Sequence, residues 1–277
     1  MPGQLRWEHA QVDGRAAVYG TAGEGPPVVF LHGWALAHRA YRKALGALVD
    51  QGLQVWAPAL PGFGGTEELP DAQFSLGGYA RWVIDFLDVV GVQKPVTLVG
   101  HSFGGGVAIR TAYDAPQRIA RLVCVNSIGG STWTEDRGVI RSLAQRPLWD
   151  WGLHLQTDLL PWRQFTRVLP VVLGDALPNL VRNPRALWRV GYLARTADLT
   201  AELEVLKQRR MPVVVLWGTE DHVLPAACLT SLRTALGDHQ LITVEGGHSW
   251  LLSDPRAFSE VMTNVVGLDT LGTPGVA

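Results

Sequence analysis

The chain has 277 residues, of which 47% are hydrophobic and 18% charged, with a formal net charge of −1. That balance supports a large buried core and excludes a disordered type; without a lysine- or arginine-rich block it also argues against nucleic acid or an anionic membrane surface as main partner. The opening MPGQLRWEHAQVDGR lacks an apolar run long enough for a signal peptide, and no segment offers the roughly 18 consecutive apolar residues of a membrane span.

In chain order, QLRWEHAQVDGRAAVYG alternates like a hairpin, so the sheet is expected to begin antiparallel. PVVFLHG, from Pro27 to Gly33, is an apolar run ending in a turn and reads as a buried strand. AYRKALGALVDQG follows as a helix, with Tyr41, Leu45 and Leu48 at helical spacing and Gly52 as its stop. QVWAPALPG is the next strand, and FSLGGYARWVIDFLDVVG the next helix, with Trp82, Phe86 and Val89 on one face. PVTLVG, GGGVAIRTAYDA and ARLVCVNSIGG continue as strand, helix and strand. Much later PVVVLWG, PAACLTSLRTALG, HQLITVEGG and FSEVMTNVVG resume the alternation. Strands apolar on both faces and separated by helices define an α/β fold, a mostly parallel sheet flanked by helices and joined by right-handed crossovers.

Between about Ser131 and Gln208 the alternation stops. This stretch is helical and irregular, with PVVLG (Pro170 to Gly174) the one candidate strand, and it holds five of the 11 tryptophans: Trp133, Trp149, Trp151, Trp162 and Trp188. We read residues 131–208 as a helical cap inserted into a core made of residues 1–130 and 209–277. Its tryptophans either fill the cap's own core or face a substrate. The Gly/Pro-rich tail GLDTLGTPGVA is expected to fray. Cys124 and Cys228 form no CxxC or Cys/His pattern; they read as two reduced thiols of a cytoplasmic protein, with no metal site.

Gly100-His101-Ser102-Phe103-Gly104 matches G-x-S-x-G, with a strand before it and a helix after it. Such a turn forces the serine into a strained backbone conformation, and glycines at 100 and 104 relieve the crowding around it. Gly105 and Gly106 are expected to let the helix pack closely on the sheet. A serine hydroxyl needs a base, and His248 in VEGGHSW sits on a loop after the last strand, at the strand end where such sheets place their sites. His101 is expected to point away from Ser102, His32 to shape the neighbouring loop, and His222 to be solvated; His9, His38, His154 and His239 lack supporting context. The base needs an orienting carboxylate. Asp221, just past PVVVLWG, is the candidate and Glu220 its rival, while the position after VCVN offers Asn126 and Ser127 and no carboxylate. The order Ser102, Asp221, His248 is that of a triad on an α/β sheet. Oxyanion donors are expected from the backbone N–H of Phe103, next to the nucleophile, and of Trp34, after FLHG. The Trp34 indole either walls the acyl pocket or simply packs. Trp34, Trp133, Trp162 and Trp250 are the candidate substrate contacts.

Together FLHGW, LPGFGGT, GHSFGGG, WGTEDHVLP and EGGHSW resemble the α/β-hydrolase superfamily over nearly the whole chain, from about Gly14 to Val266. The resemblance implies an eight-stranded sheet with an inserted cap. The HGW and GxSxGG pair looks like the esterase and cofactor-free haloperoxidase (perhydrolase) branch, and also like capped carbon–carbon bond hydrolases. Ala59 stands where many relatives carry an aspartate. A serine nucleophile disfavours the epoxide hydrolase and dehalogenase activities of the fold. The expected function is hydrolysis of small hydrophobic acyl or aryl esters through an acyl-enzyme, without metal or organic cofactor. The same triad could instead cleave a carbon–carbon bond of a vinylogous diketone, open a lactone or perform perhydrolysis, and a ligand-binding sensor on a hydrolase scaffold is a third possibility. A charged cap residue facing Ser102, such as Arg141 or Arg163, would favour an acidic diketone. No pattern speaks to oligomeric state.

Overall fold

The computed structural model describes residues 3–130, 162–237 and 239–267. Asp13 and Gly14 both take positive φ, 51° and 71°, the left-handed pair that an Asp-Gly hairpin turn favours. They join β1 (Arg6–Val12) to β2 (Arg15–Ala22), and β2 pairs antiparallel with β4 (Gln54–Pro58). From there the sheet is parallel: β4, β3 (Pro27–Leu31), β5 (Val96–His101), β6 (Ile119–Val125), β7 (Val213–Gly218) and β8 (Gln240–Val244). The strand order is β1-β2-β4-β3-β5-β6-β7-β8. The antiparallel start and the eight strands are as expected.

The central strands are buried on both sides, and their residues alternate between two cores. Leu31, Leu98, Leu122 and Val215 point to one, covered by α2 (Leu76–Val89), α3 (Phe103–Asp114), α6 (Thr200–Gln208) and α7 (Ala226–Leu236). Phe30, Val99, Val123 and Leu216 point to the other, covered by α1 (Arg42–Asp50), α8 (Trp250–Ser253) and α9 (Pro255–Gly267). Trp82 and Phe86 of α2 are buried as expected, whereas Val89 at its end is half exposed.

Between β6 and β7 the described residues form α4 (Trp162–Arg182), α5 (Pro184–Thr196) and α6. PVVLG is helical, not a strand: Pro170 to Gly174 lie inside α4. Two adjacent β-branched residues favour a strand locally, but α4 is amphipathic over its length and sets Val171 and Ala176 against the core. Helix α6 packs on α3 and α7, with Leu203 and Leu206 buried among them, so the last part of the expected cap lies in the layer that covers the sheet. Trp133, Trp149, Trp151 and Arg141 fall outside the described residues, as do the side chains of Trp162 and Arg163.

Candidate active site

Strand β5 and helix α3 meet at Ser102, whose φ of 54° and ψ of −117° are unusual for a residue with a side chain. Such a conformation costs on the order of 1–3 kcal/mol and persists only where neighbours over-determine it. Here the Ser102 N–H donates to the Val125 carbonyl (3.0 Å), while its own carbonyl accepts from Gly105 (3.0 Å) and Ile128 (3.3 Å). A Cβ on Gly100 would collide with the Gly104 carbonyl, and one on Gly104 would stand 2.6 Å from the His32 carbonyl. The side chains of Ser127 and Ile128, just past β6, are what require small residues at 105 and 106. Ser102 is the N-cap of α3, yet its hydroxyl makes no capping hydrogen bond. A serine there ordinarily caps, so this hydroxyl is not committed to holding the helix.

The loops after β7 and β8 pair with each other. Thr219 N–H donates to Val244 O and Glu220 N–H to Gly246 O, both at 2.9 Å. That pairing turns Glu220 out to solvent and brings the buried Asp221 carboxylate to His248, where Oδ2 lies 2.9 Å from Nδ1. Asp221 therefore takes the position for which Glu220 was the rival. Its other oxygen accepts from Val223 N–H (2.9 Å) and Leu224 N–H (3.0 Å). Burial by itself would raise the Asp221 pKa, but His248, Asn126 and the backbone N–H of Leu224 outweigh it and hold the carboxyl below the usual carboxylate range. An ionised Asp221 can only accept, so Nδ1 of His248 carries the proton and Nε2 of the neutral ring is the basic nitrogen.

Asn126 was read from the sequence only as the absence of a carboxylate. In the fold it takes φ of 39° past the end of β6 and spans the site: Nδ2 donates to Asp221 Oδ2 (2.7 Å), and Oδ1 accepts from Gly218 N–H (3.2 Å) and Trp250 Nε1 (2.8 Å). An asparagine tolerates positive φ better than most residues, and that was the one local signal available. The expectation of Trp250 as a substrate contact needs correction. Its ring is buried against Phe258, and its indole N–H supports Asn126 from behind.

Gly33 lies beside the serine; a Cβ there would stand 3.2 Å from Ser102 Cβ. This brings the loop that begins at Trp34 to the elbow. The Trp34 indole donates to the Leu187 carbonyl of α5 (2.7 Å), and Gly191 of α5 lets the ring approach closely. Phe103 opens α3, with its ring buried against Tyr79. Its N–H belongs to the first turn, where helix amides lack intrahelical acceptors. Behind the loop, Gly33 N–H donates to Tyr41 Oη (3.2 Å), Tyr41 Oη lies 2.9 Å from His101 Nδ1, and His101 Nε2 lies 3.0 Å from the His248 carbonyl. A carbonyl only accepts, so Nε2 of His101 carries its proton and Nδ1 accepts from the Tyr41 hydroxyl. His101 is thereby tied to the backbone of His248 and of Gly33. His32 holds the same loop, through Gly33 O (2.9 Å) on Nδ1 and Leu60 N–H (2.8 Å) on Nε2.

Burial pushes His32 down to about 4 and His101 to about 3; it does the same for His38, to about 3, helped by the nearby charges of His32 and Arg39. An unfolded histidine takes up its proton near pH 6.5, so between there and pH 4 the unfolded chain binds more protons than the folded one. Stability is therefore expected to fall as pH drops through that window, by roughly 1 kcal/mol per pH unit for each of the three. Denaturant midpoints at pH 7, 5.5 and 4.5 measure this; constant midpoints would contradict neutral burial. Burial also pushes both cysteine thiols up to about 12, which leaves neither as a nucleophile near neutrality.

A mostly parallel eight-stranded sheet with a strained serine elbow after its central strand, and the side chains 221 and 248 at neighbouring strand ends, is the architecture of an α/β hydrolase. The model of the alpha/beta hydrolase family matches residues 28–261, and the chain belongs to that family. It is 36% identical to the 2-hydroxymuconate semialdehyde hydrolase of Pseudomonas putida, over 87% of each chain. It is 29% identical to the pimeloyl-[acyl-carrier protein] methyl ester esterase of Aromatoleum aromaticum, over 87% of this chain and 98% of that one. Among solved structures, the bromoperoxidase of Bacillus anthracis superposes with a TM-score of 0.76 at 18% identity, covering 95% of this chain and all of the other. Among the described residues no helix is long and apolar enough to cross a membrane.

Proposed function

We propose that the chain is a serine hydrolase that cleaves carboxylic esters of hydrophobic acyl or aryl compounds through an acyl-enzyme. The observation that carries this reading is the Asp221 to His248 Nδ1 hydrogen bond, formed at the same end of the sheet as the strained Ser102. Ser102 Oγ attacks the ester carbonyl as His248 Nε2 takes its proton. The developing oxyanion is held by the backbone N–H groups of Phe103 and Trp34. Collapse expels the alcohol, which takes the proton from Nε2; a water deprotonated by His248 then attacks the acyl carbon and frees the acid. Residues 131–208 supply the cap in this reading, with Trp34, Trp133 and Trp162 offered to an apolar substrate portion, and the expected setting is the cytoplasm. No step calls on a metal or cofactor.

A second reading is favoured by one finding, the 36% identity to a carbon–carbon bond hydrolase. The same nucleophile and base would then serve attack on the aldehyde carbonyl of a vinylogous dicarbonyl; the carbon–carbon bond at that carbonyl breaks, the departing carbon takes up a proton, and water releases the acyl group from Ser102. Initial rates on p-nitrophenyl esters of graded acyl length, set beside 2-hydroxymuconate semialdehyde, separate the two. Turnover of short or medium acyl esters with kcat/KM well above that for the semialdehyde supports the ester reading. Turnover of the semialdehyde with only trace esterase activity overturns it.

A further inference from the structure

Helix α4 grips the loop that follows Trp34. Asp175 and Asn179 stand one turn apart, on one side of the helix. The Asp175 carboxylate accepts the Ala37 N–H, and the Asn179 amide donates to the Ala35 carbonyl (3.0 Å) while accepting from Gly64 N–H (3.1 Å). Asn179 is buried. Just ahead of the first anchored group the backbone is strained: Ala35 holds φ of 67°, a left-handed conformation that a residue with a Cβ rarely adopts. Nothing in the local sequence WALA demands that conformation. The contacts to its carbonyl, and to the amide two residues on, hold it in place.

The residue immediately before Ala35 is Trp34, whose N–H is the second oxyanion donor in the reading above. The direction of that N–H depends on the backbone that Asn179 and Asp175 hold. We propose that Asn179 and Asp175 are positioning residues of the oxyanion hole, so that α4, seated on the core, completes the site for acyl transfer. This rests on the ester hydrolase reading. Donors of this kind are effective only when pre-aimed at the developing charge, and a displacement of about 1 Å is enough to cost on the order of 10²-fold in rate. The inference also gives the inserted helices a part in the chemistry that is separate from lining a pocket.

The test is a double-mutant cycle of Asn179→Ala and Ala35→Gly, assayed on p-nitrophenyl butyrate and with an aryl trifluoromethyl ketone, whose tetrahedral adduct on Ser102 reports on the oxyanion hole. Asn179→Ala is expected to lower kcat by about 10- to 100-fold, with KM changed by less than about threefold, and to weaken the ketone in parallel with kcat. A glycine at this position adopts positive φ without the tether. The loss in kcat and ketone affinity on removing Asn179 should therefore be smaller in the Ala35→Gly background, while the drop in Tm, which includes the lost Gly64 contact, should be the same in both. A merely structural asparagine would move Tm and leave kcat and the ketone unmoved, and that result overturns the proposal. So does an equal kcat loss in both backgrounds. Should Asn179→Ala not fold, Asn179→Asp keeps the acceptor for Gly64 and sets a second acceptor oxygen against the Ala35 carbonyl in place of the donor, with the same expectations for kcat and the ketone. The two levels stay distinguishable: wild-type protein without Ser102-dependent ester turnover refutes the ester reading, whereas an active wild type with an unaffected Asn179→Ala refutes the positioning role alone.

Discussion

Ser102→Ala is expected to lower esterase kcat by roughly 10⁴-fold or more while leaving the thermal midpoint within a degree or two of wild type. In the proposed mechanism the hydroxyl is the attacking group, and no neighbour can replace it: Cys124 and Cys228 are buried thiols held protonated, and Ser127 donates its hydroxyl to the Ile128 carbonyl. The stability expectation is less ordinary. A serine at a helix N-cap typically contributes about 1 kcal/mol through its side-chain bond, but Ser102 makes none, so alanine removes no cap and inherits the same strained φ. Ser102→Gly sharpens the comparison. Glycine accepts φ of 54° freely, so this variant should be equally inactive and more stable than wild type by about 1 kcal/mol. Purified variants assayed at substrate saturation, together with their melting curves, measure both effects. Ser102→Ala with wild-type turnover would remove the serine from the chemistry.

Asp221→Asn is the second large effect, and its reason lies in the donor count. Four donors converge on the two carboxylate oxygens: His248 Nδ1 and Asn126 Nδ2 on one, Val223 N–H and Leu224 N–H on the other. A carboxylate satisfies all four, whereas an amide offers one oxygen and two further protons. If the amide oxygen keeps the two backbone N–H groups, its NH₂ faces His248, and Nδ1 must become the acceptor. The imidazole proton then sits on Nε2, and the ring can no longer act as the proposed base for Ser102. The expected outcome is a fall in kcat on the order of 10³- to 10⁴-fold with KM little changed, and a stability loss of about 1–3 kcal/mol from the donor left unsatisfied. Glu220→Gln, at the exposed neighbour, is the control and should behave as wild type. Should Glu220→Gln prove the damaging change, the pairing of Asp221 with His248 would not be the working one.

Much of this was legible beforehand because the signals are local. An apolar run closed by glycine reads as a buried strand whatever it pairs with. A serine between Gly100 and Gly104, after such a run, reads as a tight turn because few other residues fit there. The same reasoning confined the orienting acid to two adjacent carboxylates and the base to a loop after the last strand. PVVLG misled for the same reason: two valines prefer a strand in isolation, whereas in the fold the segment lies inside α4, where Val171 and Ala176 are partly buried against the core.

By itself the sequence determined the alternation of strands and helices, the placing of Ser102 at a strand–helix turn, and the short set of partners that could serve it. Tertiary structure alone decided that Asp221 and not Glu220 meets His248, because the choice hangs on backbone bonds between the loops after β7 and β8. It also decided that Asn126 bridges Asp221 to Trp250, that Trp250 belongs to the core, and that Asn179 reaches the carbonyl of Ala35. Each is a contact between groups far apart in the chain. Its geometry is set by how neighbouring strands end and how helices seat on them, which no local pattern of residue types encodes.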